Sequence, residues 1–221
     1  MFKSLLSLFF KPNCSLCERA ASDSLCRDCQ RQLKSCQMKN PGQFWQGDLP
    51  LFVWGEYGGK LKQAIATMKY NHHPELGTFL GRWLGEAWSK SSRSFPSKKI
   101  IVIPIPLHGD KLKERGFNQA ALIASGFCQL TGYPLIAKGL ERVKDTQAMF
   151  SLGTSAREEN INKAFKIGKS LLKSFPHSSV LLVDDIYTTG TTVKEAAQTL
   201  RLGGIEVMGV VALSTAKKQS V

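Results

Sequence analysis

Asp184 and Asp185 are adjacent carboxylates, and Thr188-Thr189-Gly190-Thr191-Thr192 follows within a few residues. Carboxylates accept hydrogen bonds from sugar hydroxyls or hold a divalent cation. Threonine hydroxyls around a glycine turn can donate to phosphate oxygens. The four residues before the acids, Val180-Leu181-Leu182-Val183, are all apolar, as expected of a strand covered on both faces. After the loop, Val193, Ala196, Ala197 and Leu200 recur at helical spacing, and Gly203-Gly204 is a stop signal. Strand, loop and helix N-terminus make an anion site at the carboxyl end of a strand, where open α/β sheets place ligands. No lysine follows the glycine, which excludes a Walker loop. Two acids beside the cradle would repel a bare phosphate. A phosphate that brings hydroxyls or a divalent cation with it, such as ribose 5-phosphate, fits the pattern. An Asp-rich turn that only caps a helix is the simpler alternative, but it does not require all of these positions at once.

A second cluster follows another apolar run, Ile100-Ile101-Val102-Ile103, which Pro104-Ile105-Pro106 stops. Lys111, Lys113 and Arg115, ahead of Gly116-Phe117-Asn118-Gln119, form a cationic loop suited to a pyrophosphate. Near the N-terminus, Cys14-Ser15-Leu16-Cys17 and Cys26-Arg27-Asp28-Cys29 are two CxxC pairs eight residues apart. Each pair offers two thiolates from one tight turn, and two pairs close a tetrahedral, structural Zn²⁺ site. Disulfides or a redox CxxC are the alternatives; the first needs an oxidising compartment and the second needs no second pair. Cys36 is a minor rival ligand and Cys128 is spare.

These residues need elements to carry them. Leu51-Phe52-Val53-Trp54 reads as a strand, and Leu61, Ile65 and Met68 mark one face of a short helix. Leu76, Phe79, Leu80, Trp83, Leu84 and Ala87 mark a longer amphipathic helix. Another helix begins near Asn118 and ends at Gly132-Tyr133-Pro134. His72-His73 reads as a surface turn. Strands and helices alternate from residue 50 onward, which predicts βαβ units and a parallel sheet. Residues 38–48 read as a connector, dividing a 1–40 module (an amphipathic helix over residues 2–10 and the four cysteines) from a 50–221 domain. The 221 residues suffice for a core without disulfides, and no apolar run is long enough to span a membrane. Thirty Lys+Arg against 17 Asp+Glu give a formal charge of +13, which attracts anionic partners without choosing among them. No secretion signal with a cleavage site is visible, so a cytoplasmic location is expected.

The 180–192 run resembles the PRPP (phosphoribosyl pyrophosphate) motif of type I phosphoribosyltransferases. That resemblance implies a central parallel sheet flanked by helices, with a small N-terminal zinc-knuckle module here. It implies that Asp184 and Asp185 hold the ribose hydroxyls and that Thr188, Thr189, Gly190, Thr191 and Thr192 wrap the 5-phosphate. Lys111, Lys113 and Arg115 would take the pyrophosphate, with Mg²⁺ bridging ligand oxygens; Asp184, Asp185 and Arg115 are the expected catalytic set. Arg115-Gly116-Phe117-Asn118-Gln119, taken with the CxxC pairs, resembles the ComF competence family (ComFC and its GntX-like relatives). The spacing of Arg142, Thr146-Gln147, Arg157, Asn160 and Ala164-Phe165 also matches that family and corresponds to a flexible loop closing over PRPP. The acceptor hood would be the zinc module with residues 50–90. Two functions stay open. One is a ComF-type PRPP-binding protein of DNA uptake that contacts single-stranded DNA and the uptake machinery, with phosphoribosyl transfer as an added activity. The other is a metabolic phosphoribosyltransferase acting on a nitrogen nucleophile. Neither the acceptor nor the oligomeric state is legible in the residues.

Overall fold

The computed structural model describes residues 13–91, 99–143, 164–172 and 178–216. The expected helix over residues 2–10 lies outside them. The described chain runs α1 (Arg27–Lys34), β1 (Leu51–Glu56), α2 (Gly59–Tyr70), α3 (Glu75–Lys90), β2 (Ile100–Pro104), α4 (Gly109–Arg115) and α5 (Gln119–Thr131). It continues through β3 (Leu140–Arg142), β4 (Phe165–Ile167), α6 (Lys169–Leu172), β5 (Ser179–Tyr187), α7 (Thr191–Leu202) and β6 (Glu206–Thr215). Four strands form a parallel sheet in the order β1-β6-β5-β2. The expected parallel α/β architecture is therefore present, with β5 and its acids inside the sheet.

Alternate residues of each strand feed two cores, which is why these strands carry unbroken apolar runs. On one face Phe52, Trp54, Val102, Leu181, Val183 and Val211 pack with Leu61, Ile65 and Met68 of α2, Leu76, Leu80 and Leu84 of α3, and Ile123 and Phe127 of α5. On the other, Val53, Ile101, Ile103, Val180, Leu182 and Val210 meet α7 through Val193, Ala196, Ala197 and Leu200, the four residues whose spacing defined that helix. The cysteine module shares the first core through Cys14, Leu16, Leu25, Cys29 and Leu33. β1 belongs to the central sheet and α2 and α3 cover its face, so residues 50–90 are scaffold here rather than a separate hood.

The tightest helix contact is between α3 and α5. A Cβ at Gly81 would collide with the carbonyl of Ile123, and one at Gly126 with that of Thr78. Gly77, Gly81 and Gly85 recur every fourth residue on the buried side of α3, letting the two backbones approach closely. Trp88, fully buried, anchors the same layer with its ring 5.1 Å from both Phe52 and Trp45.

Residues 36–44 are more than a connector. They lie along β1, where Leu51 N–H donates to Phe44 O, Val53 N–H to Pro41 O, and Met38 N–H to Trp54 O. On the opposite side of the sheet, Val102 N–H donates to Pro134 O and Ile136 N–H to Val102 O. Both outer strands thus have a neighbouring segment.

Candidate functional site

β5 carries the acids and ends at Tyr187, where Thr215 Oγ1 donates to the Tyr187 carbonyl at 2.9 Å. The chain then turns through Thr188 and Thr189, both exposed, to Gly190. Gly190 caps α7 with φ +81°, a left-handed conformation that disfavours any side chain, and a Cβ there would collide with the Tyr187 hydroxyl. Thr189 Oγ1 and Thr191 Oγ1 lie 3.0 Å apart. Thr188, Thr189, Gly190, Thr191 and Thr192 therefore form one short bend at the start of a 12-residue helix, with hydroxyls and free N–H groups at its positive end.

Asp185 is buried and Asp184 half-buried. Asp184 Oδ1 accepts from the Asp185 N–H at 2.9 Å. Burial, followed by the neighbouring Asp185 charge, pushes Asp184 well above the usual carboxylate range. Asp185 is neutralised by Lys69 at the end of α2, which forms an ion pair with Asp185 Oδ2. Apart from that ammonium, no described residue donates a hydrogen bond to this oxygen. The two carboxylates present hard oxygen donors of the kind Mg²⁺ takes beside phosphate oxygens.

The cationic segment after β2 is docked beside the acids. Ile105 N–H donates to Val183 O at 2.8 Å, immediately before Asp184. Asn118 clamps the segment, donating from Nδ2 to Ile105 O and accepting at Oδ1 from the Ala120 N–H. Where a loop was expected, residues 109–115 form α4, closed by Gly116 at φ +80°. The helical turn separates the three cations: Lys111 and Arg115, four residues apart, share a face, while Lys113 is exposed on another. Arg115 donates to Gln119 Oε1 at 2.5 Å and lies 5.6 Å from the Tyr70 ring centroid. His108 caps α4, its Nδ1 3.4 Å from Asp110 Oδ2.

Of the expected loop residues, Arg142 ends β3, which pairs antiparallel with β4, and its guanidinium lies 5.6 Å from the Phe165 ring centroid. β4, the partner of β3, packs against the helix that starts at the threonine bend, with Phe165 and Ile167 in the same core as Leu200. Burial raises Glu195 on that helix, and the Arg142 charge opposes the shift. Gln147, Arg157 and Asn160 lie outside the described residues. A cleft of about 640 Å³ also runs beside α7, lined by Tyr187, Lys194, Gln198 and Arg201 among others, but it does not include the acids.

The sulfurs of Cys14, Cys17, Cys26 and Cys29 all lie within 4.8 Å of one another. Cys17 and Cys26 are 3.6 Å apart, close to the ~3.8 Å edge of a tetrahedron with Zn–S bonds of about 2.3 Å. The hydrogen bond from Arg19 lowers the Cys17 thiol to about 6, whereas burial and the crowding thiols push Cys29 up to about 12. Four such groups ionise together only around a cation, so the donor set fits a structural Zn²⁺. Cys36 stands apart, its Sγ against Gln32 O at 3.5 Å, and burial raises Cys128 to about 12. The module reaches the site's scaffold directly. Ser15 Oγ donates to Glu75 Oε1 at 2.8 Å, His73 Nδ1 contacts the same oxygen at 2.7 Å, and Gln63 Nε2 donates to Leu16 O.

Sequence reasoning missed Lys69 and Tyr70, which lie more than a hundred residues from the acids in the chain. No local sequence signal marks them, because the last turn of a crossover helix ordinarily lies at the amino edge of a sheet, whereas here α2 ends against Asp185.

Comparison with known proteins agrees with this geometry. Residues 115–220 match the model of the phosphoribosyl transferase domain. The chain is 28% identical to Competence protein F of Haemophilus influenzae, over 94% of this chain and 99% of that one. It is 27% identical to Competence protein ComFC of Bacillus subtilis, over 85% and 70% respectively. It is 28% identical to DNA utilization protein YhgH of Salmonella typhi, over 89% and 87%. With acids, threonine bend and cationic segment gathered at one edge of a parallel sheet, and a four-cysteine module packed on the same core, the chain is similar over most of its length to the ComF competence proteins and has the type I phosphoribosyltransferase fold.

Proposed function

We propose that this protein binds PRPP with Mg²⁺ and works in the uptake and handling of single-stranded DNA, in the cytoplasm, with Zn²⁺ holding its cysteine module together. The observation that carries the PRPP reading is the acid pair at the end of β5, one buried and one half-buried, next to the threonine bend that caps α7. Ribose hydroxyls donating to Asp184 and Asp185, with the 5-phosphate on the bend, use both groups and explain why acids tolerate an anion site beside them. Arg115, with Lys111 on the same face of α4, is placed to receive the pyrophosphate. Lys113, on the exposed side, would act on an incoming anion through its field rather than by contact.

If phosphoribosyl transfer occurs, cleavage at the anomeric carbon places positive charge on the sugar and negative charge on the pyrophosphate. Bound Mg²⁺ would supply neutralisation of that negative charge. Asp184 and Asp185 would fix the ribose, and Arg115 would steady the leaving group. Arg142, Gln147, Arg157 and Asn160 belong to the segment that would cover the ligand and exclude water.

The DNA role is supported by the names of the relatives, which refer to competence and DNA utilization, and by the +13 charge. These names favour this reading over a metabolic phosphoribosyltransferase. Calorimetry with PRPP and Mg²⁺ tests the site: the wild type should bind, and the double variant Asp184→Asn/Asp185→Asn should not. Equal affinity of the two would remove the acids from the ligand site.

A further inference from the structure

Among the described residues, Lys69 is a charged group at the acids that no expectation covers. It ends α2, its side chain is 15% exposed against 7% for Asp185, and the two form an ion pair. Ion pairs elsewhere, such as Lys90–Glu86 and Lys166–Glu141, are exposed and contribute little to stability. A buried pair differs, because removing one partner leaves an uncompensated charge in a low-dielectric place. The following residue, Tyr70, is 69% exposed and has the Arg115 guanidinium over its ring. One helix end therefore touches the acids with one side chain and the cationic segment with the next.

We propose that Lys69 is a resident counter-ion that bars Asp184 and Asp185 from a bare divalent cation and gives way only to a ligand that brings its own negative charge. This rests on the sugar-phosphate reading above. The ammonium occupies the space in front of Asp185 Oδ2 that a metal ion would need. A lone divalent cation arriving there meets a fixed positive charge within a few ångströms and must strip it from its partner without offering it another. A metal–diphosphate complex behaves differently. Its ribose hydroxyls satisfy the carboxylate, and its phosphate oxygens give the released ammonium a new partner. Lys69 thus acts as a specificity-determining residue, converting an acid pair that could bind metal indiscriminately into one that takes metal only with the sugar diphosphate.

The test uses zinc-supplemented full-length protein, with Mn²⁺ as the metal probe. Wild type should show no millimolar-or-tighter Mn²⁺ binding attributable to the acids, as judged by water-proton relaxation against Asp185→Asn. Lys69→Met should bind Mn²⁺ alone at least tenfold tighter than wild type and bind PRPP with Mg²⁺ at least tenfold more weakly. Lys69→Arg, which keeps the charge, should keep Mn²⁺ excluded. The proposal is overturned if wild type already binds Mn²⁺ through Asp185, if Lys69→Met gains no Mn²⁺ affinity, or if Lys69→Arg behaves like Lys69→Met. Should Lys69→Met fail to fold, the wild-type and Lys69→Arg arms still decide. Failure of wild type to bind PRPP would sink the sugar-phosphate reading, while the Mn²⁺ arm would still judge Lys69 separately.

Discussion

Asp184 carries a cost in the folded protein, one that the proposed ribose contact would explain. Burial and the Asp185 charge raise it above the range it has in an unfolded chain. Between those two values the folded state holds a proton that the unfolded state has released. Stability is therefore highest at low pH within that window and falls as pH rises through the raised value. Asp184→Asn should remove this decline and raise the neutral-pH Tm, by about 2–4 °C for each kcal/mol relieved, while abolishing PRPP binding. Thermal scans from acid to neutral pH check the slope, and an unchanged profile would mean that Asp184 is not strained. Asp184, Asp185 and the threonines were legible because they are contiguous: one run holds strand, acids, turn and helix start. The four cysteines were legible because ligand spacing is a local property. Lys69 was not, since an ion pair across 116 positions leaves no local trace. The fates of Lys111, Lys113 and Arg115 were half-legible. Their charge marks the segment, but only the helical turn of α4 decides that Lys113 faces water.

Helix α3 was read correctly as amphipathic and incompletely as to what it packs. Leu76, Leu80 and Leu84 are buried as their spacing implies, whereas Phe79 and Trp83 are only partly covered and Trp88 is fully buried. Gly77, Gly81 and Gly85 look like weak helix residues in isolation. Their value appears only opposite α5, where Gly126 returns the close approach. Gly81→Ala should cost about 1–3 kcal/mol or more, the usual penalty of overpacking, because the obstructing atoms are backbone and cannot rotate away. Urea denaturation would read it as a lower midpoint, and wild-type stability would show that α3 and α5 can slide apart. Asn118 was legible as the start of α5, and it caps that helix while tying down the segment after β2. The β3–β4 pair was not foreseen, as three-residue strands carry too little periodicity to read.

No helix among the described residues is long and apolar enough to cross a membrane, and the excess of cations leaves anions as the natural partners. If single-stranded DNA is bound through its phosphates, log affinity should fall against log salt with a slope of about −0.7 per phosphate contacted. A flat response in filter binding would dismiss the nucleic-acid role. Chelation of metal from the four cysteines should do more than loosen residues 14–29. Ser15 holds Glu75 at the corner between α2 and α3, so PRPP affinity should drop several-fold as Lys69 and Tyr70 lose their footing. Colorimetric zinc release followed by calorimetry would show this, and undiminished PRPP affinity after full release would separate the two sites. The segment over residues 36–44 has a further effect. An open sheet invites strangers at its rim, because unpaired amides there can recruit a strand from another molecule. Here Leu51, Val53 and Trp54 are already engaged by the chain's own backbone. Nicking or lengthening that segment would first be felt as a loss of colloidal solubility, with molecules joining rim to rim.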